Sequence, residues 1–518
     1  MTQRLKSYVE GQWVAGSGEQ KALYNPTTEE VIAETSTEGV DFEGALNFAR
    51  ARGGSSLREL NFAQRGSMLA AACKAIHAHR DELLLLSTAS GGNTRGDAKF
   101  DVDGAIFTLQ YYAKLGEKIG ERHVILDGDP EQLTRSPRYI GQHILGPRLG
   151  AAVHINAFNF PAWGMGEKLA TSWLAGMPAV VKPATSTLPL AARMVEIMVD
   201  SGVLPDGALT FIAGSCGDLV DHLDTQDVLA FTGSATTGEY LRSKPNIIAN
   251  SVRVNVEADS LNAAALGPDV DSDSDTYEMF IREIAKDITQ KAGQKCTAIR
   301  RVFVPQNMLD QAISDLSERL GEIRVGDPSL REVRMGPVAT AAQYKDVGAG
   351  IERLLSCAEF AYGNGERGEL TGVSNDKGYF VSPTLLVAHD AAKAHDVHSH
   401  EVFGPVATIM PYSGDPGELS CLIGLGRGGL VSSVYSDDRA FIGSAVLGIA
   451  PYHGRLTIGS ARVAEHSPGP GTVMPLMVHG GPGRAGGGEE LGGMRGLSFY
   501  LQRTAIQGSK PLLEKILI

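Results

Sequence analysis

Residues 151–184 read "AAVHINAFNFPAWGMGEKLATSWLAGMPAVVKPA". An apolar run (AAVHI) leads into a stretch with helical spacing, Met165 to Leu174. A Gly176-Met-Pro178 turn and a second apolar run (AVVK) follow. Apolar runs separated by a helix-length segment and a turn signal make a β-α-β unit with buried parallel strands. The alternation continues outward: "LTFI", "VLAF" and "VRVNV" supply three more strands by residue 256, with helical spacing again from Leu190 to Val199. Such a series predicts an α/β fold built on a doubly wound sheet of nucleotide-binding type.

Around this core, residues 59–87 and 101–119 read as amphipathic helices, and 276–322 as two helices flanking "GQKCTAIRRVFVP". A second αβ series runs to about residue 460, and the tail closes on "LSFYLQRTAIQG", a strand or an arm. A chain of 518 residues exceeds what one core supports, so two or three domains are expected. The formal net charge of −13, with no long basic run, argues against nucleic acid and anionic membrane surfaces as partners. No signal peptide or spanning segment is evident, which leads to the expectation of a cytoplasmic protein. Five scattered cysteines without Cys-x-x-Cys spacing suggest neither disulfides nor a zinc site.

Several short motifs carry chemistry, each with a plainer alternative. "FTGSATTG" (231–238) ends a strand at Phe231, turns at Gly233 and offers Ser234 as a helix N-cap. Such a helix start favours an anion but is also an ordinary turn. Lys182, at the end of "AVVK", lies at the sheet edge where ligands bind. Glu257 closes "VRVNVE" and reads as a base or a cap. "HDVHSHEVFGP" (395–405) holds His395, His398 and His400 beside Glu401. It matches no metal-ligand spacing and reads as a turn with exposed histidines, so no metal site is expected. Cys296, in "GQKCTAIRR", is either a buried filler or a reactive thiol. Basic neighbours aimed at the sulfur would lower a thiol pKa, but Arg300 and Arg301, four and five residues on, need not point at it; the Gly293 turn would let a substrate approach.

Together, "NAFNFP", "VVKPA", "FTGS", "VEADSLN", "GQKC" and "EVFGP" fall in the order and spacing of the aldehyde dehydrogenase superfamily, which the whole chain resembles. "INAFNFP", "EADSLN" and "HGGPGRAGGGEELGG" resemble a narrower branch: the aldehyde dehydrogenase portion of the bifunctional phenylacetate ring-opening protein and its benzoyl-CoA pathway relative. The resemblance implies a Rossmann-like NADP-binding domain (1–125 and 149–260), an α/β catalytic domain (261–478) and a small β oligomerisation arm (126–148 and 497–518). It implies Cys296 as nucleophile, Glu257 as base, Asn159 as oxyanion donor, and Glu167 and Glu490 as proton relays. Lys182 would contact the adenosine ribose or its phosphate, Glu401 the nicotinamide ribose, and Phe403 the ring; Phe231, Gly233 and Ser234 would line the cofactor. Thr185 stands where NAD-preferring members carry glutamate, so NADP is expected as cofactor. The implied substrate is a CoA-linked semialdehyde and the implied assembly a homodimer or a dimer of dimers. The hydratase-like second activity of the bifunctional relatives is not expected. Phe158 in place of tryptophan and "EADSLN" in place of Glu-Leu-Gly-Gly-Lys depart from the broad family and speak against generic aldehyde specificity.

Overall fold

The computed structural model describes residues 3–374 and 376–517. Two seven-stranded sheets organise it. The first runs Arg253–Glu257, Val228–Thr232, Ala152–Ile155, Ala179–Lys182, Leu209–Phe211, Ser7–Val9, Gln12–Val14 across its width. Its first five strands are parallel, and they are the five apolar runs of the sequence. In chain order they lie 5-4-1-2-3, so the direction of winding reverses between Ala152–Ile155 and Val228–Thr232. A ligand crevice opens at such a reversal, beyond the carboxyl ends of the strands. Lys182, Thr232 and Glu257 are the last residues of their strands and all face that edge.

The second sheet runs Glu359–Tyr362, Thr384–Val387, Val406–Tyr412, Arg301–Pro305, Ala263–Leu266, Gly429–Tyr435, His453–Gly459. It is parallel except at Glu359–Tyr362. A third sheet is antiparallel and sits apart: Leu501–Ser509 pairs with Tyr139–Pro147, which pairs with Ile125–Gln132. This is the arm read from "LSFYLQRTAIQG", although Leu497 to Phe499 end a short helix, Met494–Phe499, before the strand starts.

The helices flanking the first sheet differ from the sequence reading in their ends. Residues 59–87 do not form one helix. Asn61 and Gln64 make a reciprocal capping box that starts Phe62–Ala78, and a break at His79 precedes Arg80–Gly91. The next helix begins at Arg95, six residues earlier than the pattern suggests, because the Thr94 hydroxyl caps it.

One buried carboxylate links these helices to the site. Helix Trp163–Leu174 has no capping side chain of its own. Its first N–H groups are taken instead by Asp101 of helix Arg95–Ile119: Trp163 N donates to Oδ1 at 2.7 Å and Ala162 N to Oδ2 at 3.3 Å. Asp101 thereby fixes where the helix carrying Glu167 and Lys168 starts. Asp101→Ala leaves two buried donors without an acceptor. It should cost about 1–3 kcal/mol, read as a lower midpoint of chemical denaturation; an unchanged midpoint would remove Asp101 from this role.

Candidate active site

The turn that presents Cys296 is wound left-handed. Lys291, Ala292 and Gly293 have φ of 55°, 51° and 69°, a region that costs side-chain-bearing residues of order 1–3 kcal/mol each. Surrounding bonds enforce it. Asp97 accepts the Lys291 N–H at 3.1 Å, and Lys291 Nζ donates to Asn93 Oδ1 at 2.9 Å. Gly293 is required by packing: a Cβ there would lie 2.0 Å from the Gly404 carbonyl oxygen. The glycine thus serves backbone against backbone, where the sequence reading had it admit a substrate.

The basic neighbours are also committed elsewhere. Lys295 Nζ donates to Asp287. Arg300 bonds the Gly404, Gly293 and Lys295 carbonyls at 2.9, 2.9 and 3.3 Å, and Glu401 at 3.3 Å. Arg301 donates to the Leu261 and Ile423 carbonyls. None is bonded to the sulfur. The Cys296 thiol is pushed well above its ordinary range, by burial first and by the Glu257 carboxylate second. The question the sequence left open is thereby answered: the cations are spent on carbonyls and carboxylates and do not lower the thiol, and the nearest charge is negative.

Around the sulfur stand three side chains from distant segments. His479 Nε2 lies 3.7 Å from Cys296 Sγ and 3.2 Å from Glu257 Oε2. Burial drives the Glu257 carboxyl upward, but His479, Lys168 and the thiol outweigh it and hold the group below the usual carboxylate range. Glu257 is thus ionised beside a protonated thiol and is no helix cap. Asn159 lines the same cavity and donates one amide hydrogen to the Gln294 carbonyl at 3.0 Å, which leaves its second N–H for another acceptor.

His479 arrives through the glycine-rich tail. "HGGPGRAGGGEEL" folds into a two-stranded ribbon, Val478–Gly480 against Glu489–Leu491, with His479 directly opposite Glu490. The ribbon lies flat on strand Arg253–Glu257. Ala258 N donates to the Ala485 carbonyl at 3.0 Å, and a Cβ on Gly486 (φ 103°) would meet the Val256 oxygen at 2.2 Å. Below Glu257, the buried Lys168 ammonium bonds Glu490 at 3.0 Å, Glu167 at 3.2 Å and the Thr232 hydroxyl at 2.9 Å. Asn255 Nδ2 donates to the other Glu490 oxygen at 3.0 Å. Burial, exceeding the pull of Lys168, pushes the Glu167 carboxyl well above the usual carboxylate range, and the neighbouring Glu490 and Glu257 push the same way.

Two cavities meet at Cys296. One is narrow, about 40 Å³, and walled by Phe100, Phe160, Trp163 and Val473, a shape and polarity suited to an alkyl chain. The other, about 610 Å³, opens beyond the first sheet and holds Lys182, Thr185, Phe231, Gly233, Ser234, Glu401 and Phe403 together. Every residue singled out in the sequence as cofactor-binding therefore lines one cleft. Ser234 caps helix Ala235–Arg242, as expected, by accepting from Thr237 N, while Asp259 takes the Ala235 N–H at 3.0 Å. Both polar atoms of the buried Asn156 amide lack a hydrogen-bond partner among the described residues, and Asn156 lines this cleft. An orphaned amide at such a place fits a polar ligand. Lys21 enters beside Lys182, and burial, helped by Lys21, pulls the Lys182 ammonium down. Burial lifts Glu401 to about 7 despite Arg300.

The histidine run differs in part from the exposed turn expected: His395 is exposed, but His398 is not. The run forms a short helix, His395–Ser399, in which His398 is buried, stacked 6.4 Å from the Phe303 ring and 3.0 Å from Arg301. The Arg301 guanidinium needs a neutral partner in a dry pocket, and His398 provides it.

The aldehyde dehydrogenase family model matches residues 13–506. The chain belongs to the aldehyde dehydrogenase family. This aldehyde dehydrogenase is 43% identical over 479 residues to a 3,4-dehydroadipyl-CoA semialdehyde dehydrogenase of Aromatoleum evansii, covering 92% of this chain and 93% of the relative. It is 28% identical to a D-glyceraldehyde dehydrogenase (NADP(+)) of Thermoplasma acidophilum, covering 84% and 85%. The betaine aldehyde dehydrogenase of Staphylococcus aureus in complex with NAD+ shares the fold, with TM-score 0.83, 24% identity and coverage of 98% and 95%. The family establishes an aldehyde oxidoreductase that uses a nicotinamide cofactor.

Four residues of this aldehyde dehydrogenase's site escaped the sequence reading: His479, Lys168, Asn156 and Lys21. Lys168 had left a signal, the one cation of the buried "MGEKLATSWL" helix, set beside Glu167. His479 begins a motif whose glycines drew the attention. The electrostatics of the thiol give a direct test. Glu257→Gln removes the anion that raises Cys296, so the pH midpoint for alkylation of Cys296 by iodoacetamide should fall. A midpoint that stays or rises would show that Glu257 does not oppose ionisation of the thiol.

Proposed function

We propose that this aldehyde dehydrogenase oxidises a CoA-linked aliphatic semialdehyde to the carboxylic acid with NADP, through a thioester on Cys296, in the breakdown of phenylacetyl-CoA or benzoyl-CoA. The observation that carries the chemistry is the junction of two cavities at one thiol, with Glu257 and Asn159 beside it. The CoA-linked substrate is supported by the name of the relative at 43% identity and by the aromatic-walled tunnel, which excludes a bulky head group from the sulfur itself.

The residues act in sequence. Glu257 accepts the Cys296 proton as the sulfur adds to the aldehyde carbon. The Asn159 amide hydrogen not held by Gln294, and the Cys296 N–H, meet the developing oxyanion; loss of one such donor typically costs about 10²–10³ in rate. NADP, when bound, supplies the hydride acceptor. Glu257 then takes a proton from the water that cleaves the thioester, and Glu167, Lys168 and Glu490 pass it outward. His479 holds the Glu257 carboxylate against the thiol. One aldehyde, one water and one NADP+ give one carboxylic acid, one NADPH and one proton.

The cofactor cleft is assigned as follows: Lys182 and Lys21 take the 2′-phosphate, Thr185 donates to it, and Glu401 accepts the nicotinamide ribose hydroxyls beside Phe403. Two lysines with a hydroxyl form the right complement for a dianion, since an acidic residue at 185 would repel it. Residues 1–125 with 149–260 are assigned to cofactor binding and 261–478 to catalysis. The arm, 126–148 with 497–518, is assigned to a homodimer or a dimer of dimers through its open strand edges.

A transfer of the acyl group to free coenzyme A is the second reading, and Glu257 argues against it, because an activated water then has no use. Three experiments follow. Cys296→Ala should abolish NADP reduction while cofactor binding persists. Glu257→Gln should retain one rapid turnover of NADPH per site and then stall, with steady-state turnover down at least about 10²-fold; sustained turnover would remove Glu257 as the hydrolytic base. Thr185→Glu should shift the kcat/KM ratio of NADP to NAD toward NAD by about tenfold or more. An unchanged ratio would place the 2′-phosphate elsewhere.

A further inference from the structure

A cleft of about 830 Å³, separate from the cofactor cleft, opens between the start of helix Arg95–Ile119 and helix Asp275–Thr289. In a chain of net charge −13 its lining is strongly basic. Arg95 and Lys99 come from the first turns of one helix, and Arg282 and Lys286 from successive turns of the other. Arg319, Arg331 and Arg334 close the far wall. Only two acids share the lining, Asp97 and Glu322, and Asp97 is buried and turned inward onto Thr94 and Lys291.

Two of the arginines are partly neutralised: Arg95 by Asp81 at 3.2 Å and Arg319 by Glu278 at 2.8 Å. Others bond only neutral oxygens. Arg282 donates to the Ala464 carbonyl at 2.7 Å and Lys286 to the Pro468 carbonyl at 3.2 Å. Burial, and after it the nearby Lys295, pull the Lys286 ammonium down, a condition that an incoming anion relieves. The N-terminus of the 25-residue helix Arg95–Ile119 opens on the same space and adds its positive end.

The cleft adjoins the tunnel to Cys296. Lys99 lines the cleft and the next residue, Phe100, lines the tunnel. Thr289 and Gln290 border the cleft, and the chain continues from them through the left-handed turn to Cys296. The segment anchored by Lys286 at Pro468 reaches Gly471 and Val473 of the tunnel, and Thr297 Oγ1 holds the Gly471 carbonyl at 2.9 Å. A polyanion seated in the basic cleft can thus thread a narrow, largely apolar chain toward the thiol.

We infer that this cleft binds the phosphorylated nucleotide end of the substrate's coenzyme A, its phosphates paired with Lys99, Arg282, Lys286, Arg331 and Arg334, while the pantetheine arm enters past Phe100. The inference rests on the proposed CoA-linked substrate.

The test compares 6-oxohexanoyl-CoA with free 6-oxohexanoate at saturating NADP, in the wild type and in a Lys99→Ala, Arg331→Ala, Arg334→Ala triple variant. All three side chains are exposed and lie outside the reacting groups. The variant should raise KM for the CoA substrate about tenfold or more with kcat little changed, leave kcat/KM on the free aldehyde as it was, and flatten the salt dependence of the CoA reaction. Adenosine 3′,5′-bisphosphate should compete with 6-oxohexanoyl-CoA in the wild type, and its binding to the NADP-saturated enzyme, measured calorimetrically, should weaken in the variant. If the wild type shows no preference for the CoA substrate, the CoA reading itself fails. If it does and the variant keeps that preference and that affinity, the nucleotide binds elsewhere and the cleft assignment is overturned.

Discussion

The site depends on one buried guanidinium. Arg300 donates to the carbonyls of Gly293 and Lys295 in one segment, and to the Gly404 carbonyl and the Glu401 carboxylate in another. It also lies over the Phe403 ring, 5.4 Å from its centre. The planar fork of donors suits this work, since a lysine could reach only part of the set. Arg300 therefore ties the left-handed turn before Cys296 to the segment that borders the cofactor cleft. The thiol and the cofactor cleft share a frame because the same side chain holds both. Arg301, its neighbour, does the corresponding work one layer deeper, against Leu261, Ile423 and His398.

Around that frame the charges are arranged by distance from the sulfur. Anionic groups gather next to Cys296, with Lys168 as their buried counter-charge, and cations lie outward, in the cofactor cleft and the basic cleft. A neutral aldehyde meets a site that keeps its thiol protonated until a base acts, while charged ends of larger molecules are drawn to places where they do not disturb the thiol. The strand end at Glu257, the ribbon bearing His479 and Glu490, and the helix bearing Glu167 and Lys168 each contribute to the inner group. Asp101 and the flat glycine contacts at Gly486 are what hold these three elements in register.

The fold was legible in the sequence wherever a local signal existed. Five apolar runs gave five parallel strands, and Ser234 gave a helix start where a capping residue followed a strand. Helix boundaries at Asn61, His79 and Thr94 were missed because hydrophobic spacing continues through them and only hydrogen bonds mark the breaks. The candidate site was legible in part. Cys296, Glu257, Asn159 and the cofactor-lining residues came from a resemblance of ordered motifs, and the structure gathers them around two joined cavities. The roles of Lys295, Arg300 and Arg301 stayed open in the sequence, since proximity to a cysteine says nothing about direction. His479 was missed because its partners lie more than 180 residues away. His398 was misread as exposed because nothing local shows that Arg301 would need it.

The arm carries a consequence for how the chain is made. Its middle strand, Tyr139–Pro147, has one neighbour nearby in sequence, while the other, Leu501–Ser509, is supplied by the far end of the chain. Arg148 and Gln502, bonded at 2.9 Å across this junction, are 354 residues apart. During synthesis the hairpin Ile125–Pro147 emerges first and must wait, with one edge unpaired, until Leu501–Ser509 has been translated. Loop closure over such a span is entropically slow, and an unpaired edge invites the wrong partner. Until Leu501–Ser509 has been made, a new chain carries an open strand edge at which two copies can mispair.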